Sequence, residues 1–107
     1  MKQLKISGCS GDSIIMVGER LENIKTRLPQ QARLIIITDP TVEDLYAARM
    51  PNSERIVIGL GEAVKTLDTV SEIYRRLIQA EADRGVFLLG VGGGIVCDIT
   101  GFVAATY

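Results

Sequence analysis

The chain has no histidine among its 107 residues. That absence excludes Ser-His and Cys-His nucleophiles and every histidine-based zinc site within these residues. Cysteine is scarce too: Cys9 and Cys97 stand far apart and form no CxxC. Two thiols alone cannot close a structural zinc site, so any metal chemistry from these residues would fall to carboxylates. Excess charge of either sign is also missing, with a formal net charge of −1. A phosphate-backbone partner needs a surplus of Lys and Arg on one face, so the composition argues against nucleic acid. No apolar run reaches the ~18 residues of a membrane span. The start, Met1-Lys2-Gln3-Leu4-Lys5, lacks the apolar core of roughly 7–15 residues that a secretory signal carries. The expectation is a cytoplasmic protein with reduced thiols and no membrane partner.

What is present is an ordinary globular composition, 47% hydrophobic, at a length suited to one domain spanning 1–107. Leu4-Lys5-Ile6 and Ser13–Val17 read as short strands joined by a hairpin turn at Gly8–Asp12. Leu21, Ile24 and Leu28 recur at helical spacing before Pro29 stops the run. Leu34–Ile37 is a continuous aliphatic strand of the kind buried on both faces in parallel sheets. A short helix over Thr41–Arg49 follows, then a strand at Arg55–Ile58. Thr66–Ala82 reads as a long amphipathic helix whose stripe is Leu67, Val70, Ile73, Tyr74, Leu77 and Ile78. Val86–Leu89 is the last strand, and a helix starts at Gly94. This alternation predicts an α/β fold: a Rossmann-like, mostly parallel sheet with helices on both faces, preceded by the N-terminal strand hairpin.

In open α/β sheets ligands bind beyond the carboxyl ends of the strands. Three clusters follow predicted strands: Thr38-Asp39-Pro40-Thr41, Gly59–Lys65, and Gly90–Gly94 with Cys97-Asp98 downstream. The glycine run leads from a strand into a helix N-terminus, where bare backbone N–H groups meet phosphates. Gly92-x-Gly94-x-x-Cys97 approaches the dinucleotide fingerprint, with a small residue at the third glycine position. A tight turn that merely packs helix on strand explains the same glycines. Gly59–Thr66 fits the P-loop pattern except at Val64, whose β-branched side chain resists the backbone angles of a phosphate loop, so a P-loop is rejected. Glu62 and Lys65 either contact a ligand or serve as a helix cap and a solvated charge. Asp39 either accepts ribose hydroxyls or stabilises the turn into Pro40. Thr41 reads as an N-cap, since Thr41-x-x-Asp44 resembles a capping box. Asp98 is expected in the first turn of the last helix, favoured there by the dipole, and Cys97 reads as a packing residue.

Together these clusters resemble the N-terminal domain of 3-dehydroquinate synthases. The closing segment Gly92–Tyr107 matches the family's GGGxxGD-x-x-GF-x-A-(A/S)-T-Y, Gly61-Glu62-x-x-Lys65-Thr66 looks like its GE-x-x-K-(S/T), and Thr38-Asp39 like its strand-end TD. Cys97 departs from the usual Gly, and Thr41 from a common Asn. The resemblance implies conversion of 3-deoxy-D-arabino-heptulosonate 7-phosphate to 3-dehydroquinate and phosphate in the shikimate pathway. NAD oxidises a substrate alcohol transiently, phosphate leaves, and the ketone is reduced again before ring closure. It implies NAD contacts at Asp39, Thr41, Gly61, Glu62, Lys65, Gly92, Gly93, Gly94, Ile95 and Asp98. The family is several times longer. Its helical C-terminal domain, absent from these residues, holds a divalent metal (zinc or cobalt) and most of the sugar-phosphate substrate, and the full-length enzyme is a homodimer. The chain is therefore expected to be the NAD-binding piece of a longer enzyme, with no catalytic and no metal-binding residues of its own. Related sugar-phosphate cyclases, a glycerol-dehydrogenase-like domain and a stand-alone nucleotide-binding module are the other readings.

Overall fold

The computed structural model describes all 107 residues, Met1–Tyr107. β1 (Lys2–Gly8) and β2 (Gly11–Val17) form an antiparallel hairpin with Leu4 opposite Ile15 and Gly8 opposite Gly11. A second, parallel sheet holds β3 (Leu34–Thr38), β4 (Glu54–Val57) and β5 (Phe87–Val91) in the order β4-β3-β5. The helices are α1 (Pro40–Tyr46), α2 (Leu67–Gln79) and α3 (Gly94–Thr106). No helix is long and apolar enough to cross a membrane.

The aliphatic run behaves as its composition demands. Ile35, Ile36 and Ile37 are all buried, and so is Thr38. Side chains alternate along a strand, so Ile35 and Ile37 share one face and Ile36 the other. Ile35 and Ile37 join Val70, Ile73 and Leu77 of α2 and Val96, Ile99 and Val103 of α3 in the main core. On the opposite face, Leu34 and Phe87 lie beside Leu28, Pro29 and Pro51, so that face too is covered. α3 sits directly on β5: a Cβ at Gly90 would lie 2.6 Å from Thr100 Oγ1.

Two elements differ from the sequence reading. Leu21–Arg27 forms a 3-10 helix instead of an α-helix. Glu19 gathers Arg20 N, Asn23 Nδ2 and Arg27 Nη2 at 2.9–3.0 Å, and Thr26 Oγ1 donates to Asn23 O, so local polar bonds compete with the α-helical ladder. In α2 the central stripe is buried, but Leu67 and Ile78 at its ends are 72% and 65% exposed.

Candidate nucleotide site

The strand order puts β3 in the centre. The chain runs from β3 through α1 to β4 on one side, then through α2 to β5 on the other. A reversal of this kind opens a crevice at the carboxyl ends of the central strands. Thr38 pairs with Val91 in register, and its hydroxyl donates to Val91 O at 2.6 Å. Ile58 N donates to Thr38 O at 2.8 Å. Asp39, Gly59 and Gly92 therefore leave the sheet side by side, and all three sequence clusters meet at one edge.

Asp39 is the N-cap of α1, with Oδ1 accepting from Val42 N at 2.8 Å. Thr41, expected to be that cap, instead lies exposed inside the first turn. Pro40 decides the frame: its fixed φ and missing N–H suit the first helical position, which moves the cap one residue before it. Gly61 has φ +84°, a conformation that favours glycine, and it leads into a short 3-10 turn, Glu62–Val64. A Cβ on Gly59 would meet Val64 Cγ2 at 2.8 Å, so this loop closes on Val64 where a phosphate loop would stay open. Thr66, not Glu62, caps α2, accepting from Thr69 N.

Lys65 Nζ and Asp98 Oδ2 are 2.8 Å apart. The hydrogen bond that Lys65 donates to Asp98, together with that carboxylate's charge, pushes the Lys65 ammonium above the usual lysine value. Asp98 is the fifth residue of α3 and not in its first turn, so the carboxylate is held by Lys65 more than by the helix terminus. Cys97 is exposed, with its thiol 3.7 Å from Gly92 O, and does not pack in the core as expected. Ile95 is half-buried and packs against the core.

The three glycines of the turn separate by cause. A Cβ at Gly92 would lie 2.7 Å from Val96 Cγ2, so packing requires glycine there. Gly93 has φ −80°, ordinary for any residue, and a Cβ at Gly93 or Gly94 would meet nothing within 4 Å. Nothing in the fold requires glycine at these two positions. They leave room against the backbone at a helix start whose first N–H groups have no side-chain cap.

A cleft of about 530 Å³ opens beside Gly92 on the α1 side, lined by Leu21, Val42, Tyr46 and Arg49 among others. Arg49 lies 5.7 Å over the Tyr46 ring and pairs with Glu22. Sequence reasoning passed over Tyr46 and Arg49, because the Glu22 that pairs with Arg49 lies 27 residues away in the chain. No group of three or more His, Cys, Asp or Glu side chains is arranged to hold a metal ion.

The family profile described as 3-dehydroquinate synthase N-terminal matches residues 55–107, the half that carries Glu62, Lys65 and the glycine turn. The chain belongs with the N-terminal domain of 3-dehydroquinate synthases. It is 36% identical over 103 residues to the 3-dehydroquinate synthase of Vesicomyosocius okutanii, covering 91% of this chain and 28% of that protein. It is 33% identical over 117 residues to that of Bordetella pertussis, covering all of this chain and 33% of the relative. The bifunctional shikimate kinase/3-dehydroquinate synthase of Thermotoga maritima is 42% identical over 73 residues, 68% of this chain and 15% of that one. The chain thus spans a third or less of the length of these synthases. Among solved structures, 2-deoxy-scyllo-inosose synthase superposes with a TM-score of 0.78 at 25% identity, over 98% of this chain and 33% of the other. A crystal structure of 2-deoxy-scyllo-inosose synthase complexed with carbaglucose-6-phosphate, NAD+ and Co2+ has the same fold, with a TM-score of 0.76 at 23% identity over 99% of this chain and 32% of the other. The superpositions take in this chain's α/β architecture, with its hairpin before a parallel sheet.

Proposed function

We propose that this chain is the NAD-binding part of a 3-dehydroquinate synthase, acting in aromatic amino acid biosynthesis in the cytoplasm. The observation that carries the reading is the pair Gly93 and Gly94: room kept against the backbone of a helix start that has no other use for it. A dinucleotide pyrophosphate fits that cradle, because the first N–H groups of α3 and the helix dipole both favour an anion. Asp39 supplies a carboxylate for ribose hydroxyls at the adjoining strand end, while Thr41, Gly61 and Glu62 line the same edge. When bound, NAD supplies the reversible oxidation of a substrate alcohol. The residues of this chain bind and orient it.

The donor set of these residues does not fit a metal site; in this reading other parts of the complete enzyme hold a divalent metal, zinc or cobalt, and the sugar-phosphate substrate. In this reading the isolated chain binds cofactor without turnover, and the complete enzyme is a homodimer with no nucleic-acid or membrane partner. Detectable synthase activity in the purified chain overturns the first part. Calorimetric titration tests the site itself: NAD is expected to bind in preference to ATP, and tight ATP binding with no NAD preference overturns the reading. The runner-up is a related sugar-phosphate cyclase, favoured by the superposition on 2-deoxy-scyllo-inosose synthase. Assaying the complete enzyme with each sugar phosphate separates the two.

A further inference from the structure

The two central strands stop pairing one bond early. Bonds along a parallel pair are evenly spaced and engage every second residue of a strand. Phe87 N donates to Arg33 O at 2.8 Å, so on β5 the series runs through Phe87, Leu89 and Val91. Val91 lies opposite Thr38, and the N–H due to meet Val91 O is therefore that of Asp39. That bond is not made. The Thr38 hydroxyl donates to Val91 O in its place, at 2.6 Å, from a fully buried side chain. Asp39 is itself extended, with φ −105° and ψ 167°, so its backbone conformation does not bar the missing bond. Its carbonyl and side chain turn into α1 instead, accepting from Glu43 N at 2.9 Å and Val42 N at 2.8 Å.

We propose that Thr38 is a positioning residue that holds the crevice open: its hydroxyl occupies the Val91 carbonyl and stops the β3–β5 ladder short of Asp39. Released from the ladder, Asp39 and Gly92 diverge into α1 and the glycine turn. One more bond would hold the two chains about 4.8 Å apart, the spacing of paired strands, at the point where a nucleotide enters. The same hydroxyl fixes the direction of the Val91 carbonyl. An oxygen rotated from there into the turn would oppose an anion held by the first N–H groups of α3. Threonine suits the task, because its branched Cβ restricts χ1 and a buried hydroxyl must find an acceptor. The purpose of this device rests on the nucleotide site described above. The device itself belongs to the sheet and is tested without any ligand.

Amide hydrogen exchange, read residue by residue by NMR, makes that test. In the unsubstituted chain the Asp39 amide is expected to exchange near its intrinsic rate, while the Leu89 amide, inside the ladder, is protected. Thr38→Val keeps the branched shape and removes the hydroxyl. The Asp39 amide of that variant should slow by about tenfold or more, after correction for intrinsic rates, as the ladder takes it in. Thr38→Ser restores the hydroxyl and should restore fast exchange. Circular dichroism checks that both variants are folded. A protected Asp39 amide in the unsubstituted chain overturns the proposal without recourse to any variant, and so does an unchanged rate in Thr38→Val. Calorimetric titration with NAD+ then tests the purpose. Thr38→Val is expected to weaken binding roughly tenfold, the scale of one hydrogen bond, and Thr38→Ser to stay within about threefold of the parent. A serine variant as weak as the valine variant overturns the positioning role, because the lost methyl group and not the hydroxyl would then govern affinity. If the unsubstituted chain does not bind NAD+, the nucleotide reading fails, and the exchange rates still decide whether Thr38 divides the strands.

Discussion

Lys65 Nζ reaches across from the loop after β4 to Asp98 Oδ2 on α3, 2.8 Å away, and so ties two of the three site clusters together. The bond raises the lysine pKa above its ordinary 10.5. A raised folded-state pKa means the favourable contribution is present below the unfolded value and is lost as pH rises through the folded value. Both side chains are well exposed, so the effect on stability is small. The effect on reactivity is larger. Asp98→Asn is expected to lower the pH at which the Lys65 amine becomes reactive to an acylating reagent, read by peptide mass spectrometry across pH 8–11 (roughly the range in which lysines titrate). An unchanged labelling profile would mean that the pair does not persist in solution.

Glycines no more than four residues apart are expected to respond in opposite ways. Gly90→Ala drives a methyl group to 2.6 Å from Thr100 Oγ1 and 3.0 Å from its Cβ, in the seam between β5 and α3. Overpacking of that kind costs about 1–3 kcal/mol, read as a lower urea midpoint. Gly93→Ala and Gly94→Ala meet no atom within 4 Å and should leave the midpoint unchanged or slightly raised. Their loss is expected in NAD affinity alone. Destabilisation by Gly93→Ala or Gly94→Ala would mean that the turn is glycine-rich for the fold and not for a ligand.

The parallel sheet was legible because the Leu34–Ile37 run and the Val70-Ile73-Leu77 stripe each state their period and burial without help from distant residues. The site was legible as three strand-end clusters, since topology sends every parallel strand end to one edge. Local competition was harder to read. Pro40 placed the cap of α1 on Asp39, although Thr41 and Asp44 spell a capping box. Glu19 drew Asn23 and Arg27 into a 3-10 turn where the spacing of Leu21, Ile24 and Leu28 suggests an α-helix. Cys97 reads as a packing residue because the sequence offers it no His partner and no redox motif, yet the helix phase turns Val96 inward and Cys97 out. Leu67 and Phe102 read as helix residues of an apolar pattern, yet they are 72% and 48% exposed, which only the three-dimensional arrangement shows.

Glu19 gives the 3-10 segment its own pH dependence. The Asn23 side chain, the Arg20 N–H and Arg27 all bond the carboxylate and hold its pKa at about 2, against an ordinary 4.5. A depressed folded-state pKa contributes stability that is present above pH 4.5 and lost as pH falls toward 2. Hydrogen exchange of the amides in Leu21–Arg27 is expected to accelerate over that window, after correction for intrinsic rates. Glu19→Gln should flatten the dependence. If exchange in this segment follows the global unfolding curve at every pH, Glu19 does not control it.

Two isoleucines five residues apart in α2 test whether the helix packs as described. Ile73 is fully buried in the core with Ile35, Ile37 and Val103, whereas Ile78 is 65% exposed. The two share one helix and one residue type, so helix propensity cancels in the comparison and burial alone distinguishes them. Ile73→Ala removes three carbons from a packed interior and is expected to cost about 2–5 kcal/mol. A small domain holds only about 5–15 kcal/mol in total, so this variant should be partly unfolded at moderate temperature. Ile78→Ala removes the same atoms from solvent-facing surface and should stay within about 0.5 kcal/mol of the parent. Urea titrations followed by circular dichroism measure both. A large loss at Ile78 would mean that its side chain is covered in solution, by a second copy or by a longer chain, and the outer face of α2 would then belong to an interface.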